Sequence, residues 1–247
     1  MMLLVLLTAA ALQAPPAPVG TTAELPSVEG PPASSAPAPV PSAAAAEPTA
    51  SDAYNDCVRR ASAEPEAVAK LARQWILQDG GLPARHCLGL AELYGDMPGT
   101  AAETFAEAGR ISESSGDPFT AALYAQAGNA ALLADDAAGA EGYFDRALVA
   151  AARGDSGVEP RDRADILIDR ARSRTDLNKI DLARADLLEA TQLAPKNPFG
   201  WLLLASAERR AGNLTGSESA IKEALRLAPD DPEIAREASL IAASEVE

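Results

Sequence analysis

The sequence predicts an all-α chain built as a helical repeat array, and three observations predict it. From Ser51 onward, apolar residues recur at spacings of three and four, the period of an amphipathic helix. Strand-like alternation is absent from that stretch. Residues of matching kind return thirty-four positions apart: Pro195 with Pro229, Pro198 with Pro232, Ala171 with Ala205, Ala190 with Ala224 and Leu193 with Leu227. A fixed period of this length means that one helix pair is copied along the chain. A single pair cannot bury its apolar face, so copies must stack.

The chain has 247 residues, and its first fifty belong to no helix pair. Residues 3–12, LLVLLTAAAL, form an uncharged apolar run. A membrane span takes about 20 apolar residues, so the run is too short for one. It fits the h-region of a secretory signal, and Thr8-Ala9-Ala10 or Ala9-Ala10-Ala11 offers a small-residue cleavage site. No basic residue precedes the run, so an uncleaved apolar tail stays open as the other reading. No Cys follows it, which leaves a lipid-modified amino terminus unsupported. Residues 1–14 are expected to be a signal-peptide-like segment, and the protein to be periplasmic or secreted. Residues 15–50 hold ten of the nineteen prolines. Such a stretch buries too little apolar surface to offset its ordering entropy, so a disordered, extended spacer is expected. Residues 51–247 should hold the repeat domain.

Within that domain the units follow in order. Ala67 and Leu71 mark the second helix of a degenerate opening unit. Residues 82–115 carry Leu88, Gly89, Ala101, Phe105 and Ala108 at the repeat positions. Residues 121–154 carry Tyr124, Gly128, Ala140, Phe144 and Ala147. Residues 164–197 carry Ala171, Ala183, Leu187, Ala190 and Pro195, with Arg170 at a normally apolar position. Residues 198–231 carry Trp201, Leu204, Ala205, Ile221, Ala224, Leu227 and Pro229, with a turn at Gly212-Asn213-Leu214. Small residues let helices approach closely, and the large ones fill the gap beside them. The segment RGDSGVEPRDR, 153–163, lengthens one connection. Residues 232–245 read as a capping helix, opened by Pro232 and capped by Asp230 or Asp231.

This pattern and period resemble the tetratricopeptide repeat family, most closely over 164–231. Ser217 stands where the family usually has Ala, and the early units lack the terminating proline. The resemblance implies a right-handed α-α solenoid of about four to five helix-turn-helix units with a carboxy-terminal capping helix. It also implies that first helices line a concave groove in which ligand peptides lie. On that face it places Asn129, Arg172, Ser206, Arg209 and Arg210, with Leu90, Leu93 and Leu132 forming an apolar end. Arg suits a carboxylate or a peptide carbonyl, although these arginines could equally be solvated charges balanced by nearby acids. The basic-and-Asn clamp by which some members hold a carboxy terminus is not reproduced. Cys57 and Cys87 fall in the first helices of successive units, which pack side by side in the family. A disulfide there would staple the opening unit and contribute about 3–4 kcal/mol. Two buried free thiols are the alternative.

Composition and motif content narrow the function. The formal net charge is -15, with Lys plus Arg 21 and Asp plus Glu 36. Phosphate binding and polybasic membrane attachment need the opposite balance. One His and two Cys leave little for a zinc site, and an aromatic content of 4% argues against a ligand cage. No nucleophile elbow, zinc-protease, P-loop or dinucleotide motif occurs. His86 adjoins Cys87, but consecutive helical side chains diverge by about 100°, so a surface or groove role is expected instead of a catalytic pair. The expectation is a non-catalytic scaffold without cofactor, metal or small-molecule substrate. It would bind a protein or peptide segment on its concave face. The alternative is a self-associating module that docks a second copy through an apolar groove or a repeat end.

Overall fold

The computed structural model describes residues 49–153 and 157–244, so the signal-like segment and nearly all of the predicted spacer lie outside it. Among the described residues the chain forms eleven α-helices and no strand. In order they are α1 (Ala50–Arg60), α2 (Pro65–Leu77), α3 (Gly81–Tyr94), α4 (Pro98–Ser115), α5 (Thr120–Leu133) and α6 (Ala137–Ala151). They continue with α7 (Pro160–Asp176), α8 (Ile180–Leu193), α9 (Pro198–Arg210), α10 (Leu214–Leu227) and α11 (Pro232–Ser244). The five pairs and the terminal helix α11 are the predicted units in the predicted order.

Local chemistry sets the helix ends. Proline opens α2, α4, α7 and α9 at the first turn, where a missing N–H costs nothing. The turn inside each of the last four pairs needs one residue with positive φ. Asp96, Asp135, Asn178 and Gly212 supply it, with φ of 60°, 58°, 57° and 79°. These are the residue types that tolerate the left-handed region. Asp136 caps α6 by accepting from the Gly139 N–H at 2.9 Å, and Asn213 caps α10 by accepting from Gly216 at 3.2 Å. Of the two predicted caps for α11, Asp231 serves, accepting from the Glu233 and Ile234 N–H groups at 2.8 and 3.2 Å.

Packing is of the small-against-large kind. Gly89 on α3 faces Phe105 on α4, and Gly128 on α5 faces Phe144 on α6. A Cβ at either glycine would lie 2.5 or 2.6 Å from the opposing ring, so only glycine permits the contact. Phe105, Tyr124 and Phe144 are fully buried. Ser217, the departure from Ala, is buried and donates its hydroxyl to the Ala205 carbonyl at 2.8 Å, which satisfies the polar atom. The opening unit corrects the sequence reading by one residue. Ala67 and Leu71 point to solvent, while Val68, Ala69 and Ala72 face the core. The small-large pattern there fits two adjacent faces of α2, and tertiary contact, including Trp75 packed against the opening cluster, selects one.

First helices touch the next first helix, as α1 does α3, α5 does α7, α7 does α9 and α9 does α11. Second helices pack mainly against their own partner and the following first helix. The side formed by first helices is therefore the tighter, concave one.

Cys57 on α1 and Cys87 on α3 form a disulfide pair with their Cα atoms 6.0 Å apart. They sit in a small cluster with Ala61, Val68, Ala69, Ala72, Leu88 and Ala91, apart from the main core. Helix α1 touches only α2 and α3 extensively, and it brings Cys57 and its capping Ala61 to full burial. Helix α1 is thus held by this small cluster, the Tyr54–His86 contact and the covalent tie. On reduction, α1 amides are expected to lose hydrogen-exchange protection while those of α5 to α10 keep theirs. Unchanged protection in α1 after complete reduction would contradict this.

Candidate interaction groove

The concave face starts at α3. His86 is half-buried there, between the Tyr54 ring on α1 and the Phe105 ring on α4, with centroids 5.8 and 5.7 Å away. The Tyr54 hydroxyl lies 3.0 Å from His86 Nδ1. Burial pushes the His86 pKa down, with the nearby Gln126 amide opposing. A neutral ring that accepts at Nδ1 from Tyr54 directs its Nε2 proton elsewhere. His86 is thus a covered residue at the groove's end, held by α1, and Cys87 beside it is engaged with Cys57. Leu90, Leu93 and Leu132 are partly buried against the main core and form the apolar floor of this half.

In the middle of the face the structure joins two of the sequence-derived residues through a third that the sequence reading missed. Arg172 donates from Nη1 to Asp169 Oδ1 at 3.1 Å. The Asn129 amide approaches the same carboxylate and favours its charged form. Burial outweighs both and pushes the Asp169 pKa up. Its side chain is 23% exposed, against 46% for Arg172. Asp169 stands three residues before Arg172, a spacing at which helical side chains meet, so the signal was present. One turn earlier on the same helix is Asp165, half-buried. Burial raises its pKa first of all, Arg161 opposes, and Asp169 and Asp162 add to the rise.

The far end differs. Arg209 is drawn to α11, donating from Nε and Nη2 to the two Glu237 oxygens at 2.8 and 3.3 Å. That makes Arg209 a tie between units. Ser206 is half-buried on α9. Arg210 is exposed and makes no ion pair among the described residues. Arg163 pairs with Glu189 across the two helices of one unit, while ties like that of Arg209 recur at other junctions, as Arg184 to Glu208 and Arg73 to Glu92. Arg170, the departure at an apolar position, is one of them. With Arg174 it grips Asp186, and both reach back to acids on α6. Among the described residues, no group of three His, Cys, Asp or Glu is placed to hold a metal ion, and no helix is long and apolar enough to cross a membrane.

Stacked antiparallel pairs with first helices inside define an α-helical repeat solenoid whose exposed asset is its inner face. A family model of the tetratricopeptide repeat matches residues 198–241. Among solved structures, the crystal structure of YrrB, described as a TPR protein with an unusual peptide-binding site, superposes with a TM-score of 0.60. It is 14% identical, and the match covers 78% of this chain and 94% of YrrB. MamA superposes with a TM-score of 0.57 at 15% identity, covering 69% of this chain and 92% of MamA. A double mutant of MamA RS-1 gives a TM-score of 0.59 at 14% identity, covering 72% and 92%. No curated protein sequence matches the chain. The chain thus carries a tetratricopeptide-repeat match over residues 198–241 and shares the helical-repeat fold of these structures.

Proposed function

We propose that the protein is a non-catalytic scaffold of the cell envelope that binds a protein or peptide segment along the concave face of its array. The observation that carries this reading is the continuous inner face from α3 to α9. It presents an apolar floor at Leu90, Leu93 and Leu132, then the polar residues Asn129, Asp169 and Arg172. Such a mixture buries apolar side chains of an extended partner while fixing its register by polar contacts. The fold it shares with YrrB, a protein described as having a peptide-binding site, is consistent with this use of the scaffold. The apolar run at 3–12 and the Cys57–Cys87 pair both suit an oxidising, exported location.

The test is cross-linked capture from cell envelopes, followed by titration of the captured segment as a synthetic peptide. The Asn129→Ala/Arg172→Ala variant is expected to bind that peptide at least about tenfold more weakly than the wild type, the size of effect that loss of charge-assisted hydrogen bonds produces. Equal affinity in a folded variant would move the interface off the concave face. Sedimentation of the full chain over a concentration range tests the self-associating alternative, for which a monomer throughout is the adverse result.

A further inference from the structure

The same two repeat positions carry different residues at successive junctions between units. One position lies on a second helix, directly after the buried alanines Ala72, Ala101, Ala140 and Ala183. The other lies on the following first helix, three residues after Gly89, Gly128, Ala171 and Ala205. From α2/α3 to α8/α9 the pairs read Arg73 with Glu92, Ala102 with Ala131, Glu141 with Arg174, and Arg184 with Glu208. The three charged pairs are in contact, at 3.0, 3.1 and 2.9 Å. Their polarity is not constant. It runs positive to negative at α2/α3 and α8/α9, the reverse at α6/α7, and is neutral at α4/α5. There Tyr124 on α5 joins the units instead. Its ring lies against Gly109 on α4, where a Cβ would fall 2.9 Å from it, and its hydroxyl donates to Glu113 at 3.0 Å.

The first-helix member of each charged pair is held by its own unit as well. Thr104 donates to Glu92 Oε2 at 2.6 Å, the Asn213 amide donates to Glu208 Oε2 at 2.8 Å, and Arg174 donates to Asp186 Oδ2 at 2.7 Å. Glu92 and Glu208 are buried, and Arg174 is largely so. A unit therefore presents a fixed, mostly covered charge, and the unit stacked before it supplies the remaining partner. Stacking α9 on α6, with α7 and α8 left out, would set Glu141 against Glu208. Stacking α7 on α4 would set Ala102 against Arg174. A covered charge that meets its own sign, or no partner, is costly. Shape alone separates these arrangements less sharply, because small residues stand at the same positions in every unit. We propose that the alternating pair is a device that fixes the order in which the units stack, so that the array closes in one register and copies of the chain do not exchange units out of order. The order of the units is also the order of the groove residues, since Asn129 reaches Asp169 only when α7 follows α5.

The experiment compares refolding of the full oxidised chain with that of its Arg184→Ala/Glu208→Ala variant, which gives α8/α9 the residues of α4/α5. Removing both members of a covered pair leaves neither charge alone, so the variant is expected to fold. Each protein is unfolded in denaturant with the disulfide intact and diluted at several concentrations, and the recovered material is sized by light scattering. The wild type should return to its starting size throughout. The variant should recover roughly half as much native species at the highest concentration, the rest being exchanged multimers, the failure typical of repeat proteins. Glu223→Ala/Arg226→Ala removes an exposed pair within α10, away from every junction, and should refold as the wild type does. Recovery of the junction variant equal to the wild type would overturn the proposal, as would the same loss in the α10 variant. Arg184→Glu/Glu208→Arg supplies a second test, because it keeps a pair but copies the polarity of α6/α7. It should also fold and then misassemble on refolding, and full recovery would again be adverse. Failure of both junction variants to fold at all would make the pair a support of stability alone and overturn the proposal.

Discussion

Replacing Asp186 with alanine is expected to destabilise the array by about 3 kcal/mol, because it leaves two guanidinium groups largely out of water without their main partner. Asp186 is 5% exposed, and Arg170 and Arg174 are 17% and 12% exposed. Arg170 holds both Asp186 oxygens, with Nε to Oδ2 at 3.0 Å and Nη2 to Oδ1 at 2.6 Å, and Arg174 adds Nη1 to Oδ2 at 2.7 Å. The cluster extends to Asp145 through Arg170, and to Glu141 through Arg174 and Lys179. Those outer acids lessen the loss without replacing the bidentate contact. Chemical unfolding measures the effect, and a loss under about 1 kcal/mol, the level of a surface pair, would contradict it. Asp186→Asn keeps the shape and should cost less.

The same cluster gives a pH dependence whose sign follows from Glu141. Burial raises its pKa, but the hydrogen bonds and charges of Lys179 and Arg174 outweigh that and hold it below the usual carboxylate range. A carboxylate with a depressed folded pKa contributes stability above its unfolded value. That contribution is lost as pH falls through the folded one. Asp165 and Asp169 have the opposite sign. Their folded pKa values are raised, so their ionised forms weaken the fold and protonation relieves the cost. Asp165→Asn should therefore leave stability at neutral pH unchanged or slightly higher, while Glu141→Gln should lower it.

Phe144→Ala is expected to cost about 3–5 kcal/mol, the range for removing a fully buried aromatic side chain. The ring is 0% exposed and fills the space that Gly128 leaves on α5. Gly128→Ala should also destabilise, since its Cβ would fall 2.6 Å from Phe144 Cε1, and the ring is walled in by the core. The two changes should not add. With the ring gone, a methyl group at position 128 enters the cavity and recovers part of the loss, so the double variant should be more stable than the sum of the singles implies. Simple additivity within about 0.5 kcal/mol would mean that the two positions do not share one packing site. The Gly89 and Phe105 pair is the same contact one unit earlier and should behave alike.

These contacts also show why the repeat domain was readable from the chain. Gly128, Phe144, Ala140 and Ala147 stand at spacings set by helix geometry, and their sizes alone say which side chain fills which gap. The turn positions Asp96, Asp135, Asn178 and Gly212 are equally local, because the left-handed conformation restricts the residue that occupies it. The opening unit was less readable for the same reason in reverse. Ala67 and Leu71 fit the small-large pattern as well as Val68, Ala69 and Ala72, and only contact with α3 decides.

The groove divides along the same line. Repeat position assigned Leu90, Leu93, Leu132, Asn129 and Arg172 to one side of the first helices; the leucines lie partly buried against the core, and Asn129 and Arg172 both reach Asp169. Arg209 was placed on the right helix, but its engagement with Glu237 lies twenty-eight residues away in the next unit. Nothing in a single period encodes that choice. Arg170 looked like a defect in an apolar column until its partners on α6 and α8 came into view.

The sequence by itself determined the helices, their pairing, their order and the inner side of the array, because periodicity, side-chain size and turn chemistry act over a few residues or one repeat. Only the tertiary structure decided which charges are taken and which are left over. It consumed Arg170, Arg174 and Arg209 in ties between units, and it left Asp165 with no ion pair or hydrogen bond among the described residues. The physical reason is that an ion pair or a desolvated acceptor depends on what approaches from another helix, and that distance is set only when the units stack.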